Sequence, residues 1–111
     1  MRMKPDTAVA VYELHAQAQG AVKALQRVGF DMMKISIIGR DYALAGALMG
    51  IGIPKDAVPR YETALKAYKF MLVVHGDAEE IKRADVLLKT SGLTSFDHHR
   101  GQRKAVSKVH A

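Results

Sequence analysis

Residues 70–92 read FMLVVHGDAEEIKRADVLLKTSG, and this stretch decides the fold. Phe70, Met71, Leu72, Val73 and Val74 are consecutive apolar residues, so the strand from Phe70 to His75 is buried on both faces. Asp77 then opens a helix, and Glu80, three residues on, completes a capping box with it. Ile81, Ala84, Leu87 and Leu88 form the buried stripe of that helix, and Gly92 ends it. Leu93 to Asp97 reads as a short fourth strand.

The first part of the chain has the same plan. Thr7 to Glu13 is a strand apolar on both sides. From Leu14, apolar residues fall at Leu14, Ala18, Ala21, Val22, Leu25 and Val28, a helical spacing that Gly29 stops. Lys34 to Gly39 is a second strand. Between the halves lies a further helix with Val58, Tyr61, Leu65 and Tyr68 on its stripe. Asp56 is the expected N-cap, because it leaves Pro59 in the first turn, where a missing N–H is harmless. Two split β-α-β units predict an α+β fold, a ferredoxin-like sandwich with a four-stranded antiparallel sheet. An extra Gly-rich segment and helix stand between strands 2 and 3. The first and third strands, the most apolar, belong at the centre, with right-handed crossovers.

In this arrangement the helices cover one sheet face. The other must be hidden, and Ala8, Ala10, Tyr12, Met71 and Val73 are the residues assigned to it. The segment Tyr42 to Pro54 is uncharged and carries Gly46, Gly50 and Gly52. It predicts a short helix, Ala43 to Met49, packed through small residues. The expected cover is a second copy, a homo-oligomer with a dimer favoured. Its interface would take Tyr12, Met71 and Val73 from the sheet, and Tyr42, Leu44, Leu48, Met49 and Ile51 from the segment.

At 111 residues and 49% hydrophobic content, the chain fits one domain with its own core. The expected domain is 1–97, followed by a basic tail, 98–111. No cysteine is present, which removes disulfides, thiolate nucleophiles and Cys-ligated metal sites. The longest uncharged run would reach only about 20 Å as a helix, short of the roughly 30 Å a bilayer core requires. No signal peptide is read at the start, and a cytoplasmic, soluble protein without a transmembrane segment is the expectation.

The opening Ala8-Val9-Ala10-Val11-Tyr12, the helix with Ala21-Val22-Lys23-Ala24-Leu25, and Gly29-Phe30 with Ile35-Ser36-Ile37-Ile38 resemble a known family. So do Gly52-Ile53-Pro54, Tyr61-Glu62-Thr63-Ala64-Leu65-Lys66 before Phe70 to Val74, and the helix from Asp77 to Gly92. Over roughly residues 7 to 97 the chain is similar to the small bacterial general-stress (heat-induced stress) domains. It lacks the long Gly-rich apolar insertion of their larger members. The resemblance implies a stress-linked, non-enzymatic domain, and no catalytic residues to carry over.

No catalytic constellation is legible. The serines stand in no nucleophile elbow, and no Walker or GxGxxG pattern surrounds the glycines. His98 and His99 are adjacent on a strand and point to opposite faces, so no metal site and no cofactor are expected. Net charge is +6, with seventeen basic against eleven acidic residues. Four of the basic residues lie beyond residue 97, so without the tail the balance is thirteen against eleven. Arg40, Arg100, Arg103, Lys104 and Lys108 are the candidate anion contacts, for nucleic acid or anionic lipid. Four phosphate contacts would give a log–log salt slope of about −3.6, a weak and non-specific interaction. The plainer reading of the tail is a solvated terminus. Protein contact through self-association is therefore the first functional expectation, and binding of nucleic acid or an anionic ligand the second.

Overall fold

The computed structural model describes residues 5–41 and 48–100. Four strands, β1 (Asp6–Tyr12), β2 (Ile35–Ile38), β3 (Phe70–Gly76) and β4 (Ser95–His99), form one antiparallel sheet of order β2-β3-β1-β4. The α+β class and the central places of the first and third strands agree with the sequence, and the order is compatible with a ferredoxin-like arrangement. Among the described residues, α1 (His15–Arg27), α2 (Val58–Lys66) and α3 (Ala78–Leu88) pack with the sheet.

Each helix has a local cause. At α3 the Asp77 carboxylate accepts from the Glu80 N–H at 2.8 Å, and Glu80 accepts from the Asp77 N–H at 2.9 Å, the reciprocal box read from the sequence. At α1 only half of such a box exists: Gln17 reaches back to the Leu14 N–H at 3.2 Å, and Leu14 offers no side-chain acceptor. Gly29 ends α1 with φ +90°, a conformation that costs glycine little. The start of α2 departs from the expectation. A 3-10 turn, Lys55–Ala57, precedes it with Pro54 as N-cap, and Ala57 rather than Asp56 caps the α-helix. Pro59 nevertheless lies in the first turn, as the hydrogen-bond argument requires.

The two faces of the sheet close in different ways. Ala8, Ala10, Tyr12, Leu72 and Val74 meet Ala18, Ala21 and Leu25 of α1 and Ile81, Ala84 and Leu88 of α3. On the opposite face Val9, Val11, Ile38, Met71 and Val73 are covered by Leu48, Ile53, Ala57, Tyr61 and Leu65. The chain is thus a three-layer structure in which its own α2 and the residues leading into it shield the second face.

This corrects two expectations. First, Ala8, Ala10 and Tyr12 do not share a face with Met71 and Val73. The antiparallel register pairs Ala8 with Val74 and Val9 with Val73, so even-numbered residues of β1 lie with even-numbered residues of β3. Second, that face needs no second copy, because α2 fills it. Tyr61 and Leu65 are 1% and 0% exposed, and Met71 and Val73 beneath them are 0% and 1%.

The end of the chain also shifts. β4 begins at Ser95 and runs to His99, two residues past the expected domain boundary at Asp97. Its pairing with β1 explains the shift: Ala10 takes Phe96, Val9 takes Asp97 and Thr7 takes His99. The expected helix from Ala43 to Met49 falls mostly outside the described residues. Leu48–Ile51 forms a 3-10 turn.

Candidate functional site

Two places collect side chains that the core does not require. The first lies on the α2 face, where the polar end of β4 meets the helix. Asp97 and His99 are two residues apart on a strand and so share a face. Tyr61, one turn into α2, reaches both: its hydroxyl is 2.7 Å from Asp97 Oδ2 and 2.7 Å from His99 Nε2. Arg60 Nη1 donates to the same Asp97 Oδ2 at 2.7 Å, and its guanidinium lies 4.7 Å over the Tyr61 ring.

Proton counting fixes the direction of these bonds. A phenol has one proton to give, and the carboxylate can only accept. Tyr61 therefore donates to Asp97, and His99 donates its Nε2–H to the Tyr61 oxygen. Burial, then the bond to Asp97 and its negative charge, push the Tyr61 hydroxyl well above its ordinary value. Burial alone would raise the Asp97 carboxyl. The bonds from Tyr61 and Arg60 and the guanidinium charge outweigh it and hold the group below its ordinary value. Burial lowers His99, against the pull of Asp97. A phenol with a raised pKa that already donates to a carboxylate stays protonated and is a weak acid at neutral pH, so the arrangement is suited to fastening α2 to the edge strand.

Beside it, Thr7 Oγ1 and His75 Nδ1 are 3.1 Å apart, and burial also lowers His75. Gly52, at φ +97°, presses its backbone onto this pair; a β-carbon there would stand 2.8 Å from Thr7 Oγ1. Glycine is thus required at 52 by sterics as well as by its backbone angle. His98 points to the other face, where its Nε2 lies 2.8 Å from Asp6 Oδ2. The two adjacent histidines therefore serve opposite faces. Among the described residues no group of three or more His, Asp or Glu side chains could hold a metal ion.

The second place is on the outer surface of the α1–α3 layer. Val28, just past α1, and Glu79, Lys82, Arg83, Val86 and Leu87 of α3 line an open groove of about 550 Å³. Val28 is 54% and Val86 72% exposed, large values for branched apolar side chains. The Arg83 guanidinium lies 5.0 Å over the ring of the buried Phe30. Lys82 is exposed and has no ion-pair partner among the described residues.

The residues singled out from the sequence are placed elsewhere. Tyr12 is in the α1–α3 core, where its hydroxyl meets Ser91 Oγ at 2.7 Å. Because Ser91 donates to the Leu88 carbonyl, Tyr12 is the donor. Burial raises this phenol as well, against the bond to Ser91. Leu48, Met71 and Val73 are inside the protomer under α2, and Ile51 packs at the margin of the same cluster. Leu48, Met71 and Val73, buried by their own chain, offer no surface to a partner. Met49 lies in the 3-10 turn, and Tyr42 and Leu44 are outside the described residues.

The candidate anion contacts are not assembled either. Arg40 follows β2 and lies 5.1 Å over the Tyr68 ring, whereas Arg100 follows β4. These strands are opposite edges of the sheet and run in opposite directions, so the two arginines stand at diagonal corners. Arg103, Lys104 and Lys108 lie outside the described residues. No helix among the described residues is long and apolar enough to cross a membrane.

The sequence carried a signal for the groove. The helical spacing places Val28 on the apolar stripe of α1, yet only Ala18, Ala21 and Leu25 of that helix are fully buried. On α3, Val86 stands off the buried stripe, in line with Glu79, Lys82 and Arg83, an apolar residue on a polar face. The cluster at Tyr61 had no such signal, because it depends on how β4 and α2 come together. No protein-family model, no curated protein and no solved structure matches this chain.

Proposed function

We propose that this chain is a non-catalytic protein-contact domain, with a ferredoxin-like core, whose working surface is the groove between the end of α1 and the outer face of α3. The observation that carries this reading is the pair Val28 and Val86, more than half exposed and lining one groove, whereas the other valines and isoleucines among the described residues pack in or against the two cores. An apolar patch that remains open after both sheet faces have closed fits a partner contact. The network at Tyr61 holds the fold in register behind it. A role in a bacterial stress response is the part of the proposal supported by the resemblance alone.

Site-specific photo-crosslinking in cells tests it. A crosslinker installed at position 86 should trap a discrete protein adduct that one at Glu62, on α2 in the opposite layer, does not. Equal trapping at both positions, or none at 86, would overturn the reading.

A further inference from the structure

We infer that the groove accepts an acidic amphipathic helix of another protein, a conclusion that rests on the protein-contact reading above. Its geometry comes from α3. Glu79, Lys82, Arg83 and Val86 stand at i, i+3, i+4 and i+7, a straight row on one face of the helix. The row is about 10 Å long, the span of two helical turns. Leu87 continues this face at i+8, and Val28, just past the end of α1, borders the groove from the other helix. A trough bounded by a helical ridge receives another helix through its own i, i+3, i+4 and i+7 side chains.

The sign of the partner follows from the charges. Lys82 and Arg83 stand mid-row against Glu79 alone at one end. Arg83 lies over Phe30, which fixes its place while its N–H donors remain available. Lys82 has no partner among the described residues to give up. The occupant that complements this surface sets leucine-like anchors against Val28, Val86 and Leu87 and carboxylates against Lys82 and Arg83. A second copy docked groove to groove about the middle of the row would bring Lys82 and Arg83 against the same pair of its neighbour, a like-charge contact.

The test uses the full chain and two labelled synthetic peptides of about 14 residues, four helical turns. Both carry leucines at i, i+3, i+4 and i+7. One has glutamates on the flanking positions, and in the other lysines replace them. Fluorescence anisotropy is read at low and at physiological ionic strength, with light scattering on the chain alone. The glutamate peptide should bind at least about tenfold more tightly than the lysine peptide, and more weakly as salt rises. Lys82→Glu should narrow or invert that preference, and Val86→Asp should abolish binding of both peptides. Arg83→Gln, which leaves Lys82 in place, should weaken the glutamate peptide by a smaller factor. Circular dichroism melts confirm that each variant folds. Equal binding of the two peptides, no binding of the glutamate peptide, indifference to Lys82→Glu, or a dimer dissolved by Val86→Asp would overturn the inference. Adducts at position 86 together with any of these results would remove only the acidic helix as partner. Absence of adducts removes the protein-contact reading itself.

Discussion

At the scale of single residues, Tyr61 couples the stability of this chain to pH. Its hydroxyl joins His99 to Asp97, and Asp97 also holds Arg60. Tyr61→Phe leaves a carboxylate short of a donor and an imidazole N–H without an acceptor, both half-buried. Such a loss costs about 1–3 kcal/mol, to be read from the urea midpoint at unchanged slope. The titrations have defined signs. His99 and His75 are both lowered from an ordinary 6.5, mainly by burial. Between the lowered value and 6.5 the unfolded chain binds more protons, so the stabilisation is full above 6.5 and is lost as pH falls below it. Asp97, lowered from 3.8, adds stability above that value which is lost only in stronger acid. The urea midpoint should therefore be flat from pH 7 to 8 and begin to fall below about 6.5. His75→Gln combined with His99→Gln should flatten the first part of the decline. A midpoint that rises between pH 6.5 and 5.5 would contradict the assignment of neutral, buried histidines.

At the scale of elements, the helices were legible where their ends carry chemistry, and the strands where hydrophobicity alone sufficed. Asp77 and Glu80 fixed the start of α3, and Gly29 fixed the end of α1, because a cap is a local interaction. The facing of β1 was not legible. Every residue from Asp6 to Tyr12 is buried, so no alternation marks one side. Parity is then set only by the pairing with β3, and an error of one residue moves the whole strand to the other face. The same holds for β4, whose place is fixed by its ladder with β1 rather than by its own composition. The end of α2 carries a residue that works against its position. Tyr68 has φ +68°, is 67% exposed, and stands where glycine or asparagine is favoured. A side chain in this region costs about 1–2 kcal/mol, whereas the exposed stacking of Arg40 returns about 0.5–1. Tyr68→Asn, whose side chain tolerates this region and which avoids the roughly 0.4–1 kcal/mol that glycine's unfolded-state freedom would cost, should therefore stabilise the chain by less than about 1 kcal/mol. A thermal melt that moves downward would show that the Arg40 contact outweighs the backbone strain.

At the scale of the whole molecule, the decisive fact is the destination of the helix that a two-unit β-α-β plan does not need. Its stripe reads in the sequence as Val58, Tyr61, Leu65 and Tyr68, of which the first three pack on the sheet side while Tyr68 lies past the helix end, 67% exposed; a sheet face without cover is legible too. The step from one to the other was available: an apolar helix must bury its stripe, and the open face was the place left. With α2 laid across Val9, Val11, Met71 and Val73, both sides of the sheet are sealed by one chain. A fold closed in this way should not depend on a second copy for its stability. An obligate dimer would show a midpoint that rises with protein concentration, since association stabilises the folded state by mass action. The urea midpoint should instead be unchanged over about a hundredfold range of concentration, where tight coupling to dimerisation would contribute a few kcal/mol. Leu65→Ala, which opens a cavity directly over the sheet, should lower it by about 2–5 kcal/mol at every concentration. If the midpoint climbs with concentration in the parent chain and the Leu65 variant loses that dependence, then α2 does not close the face alone, and the second copy would return to the structure through it.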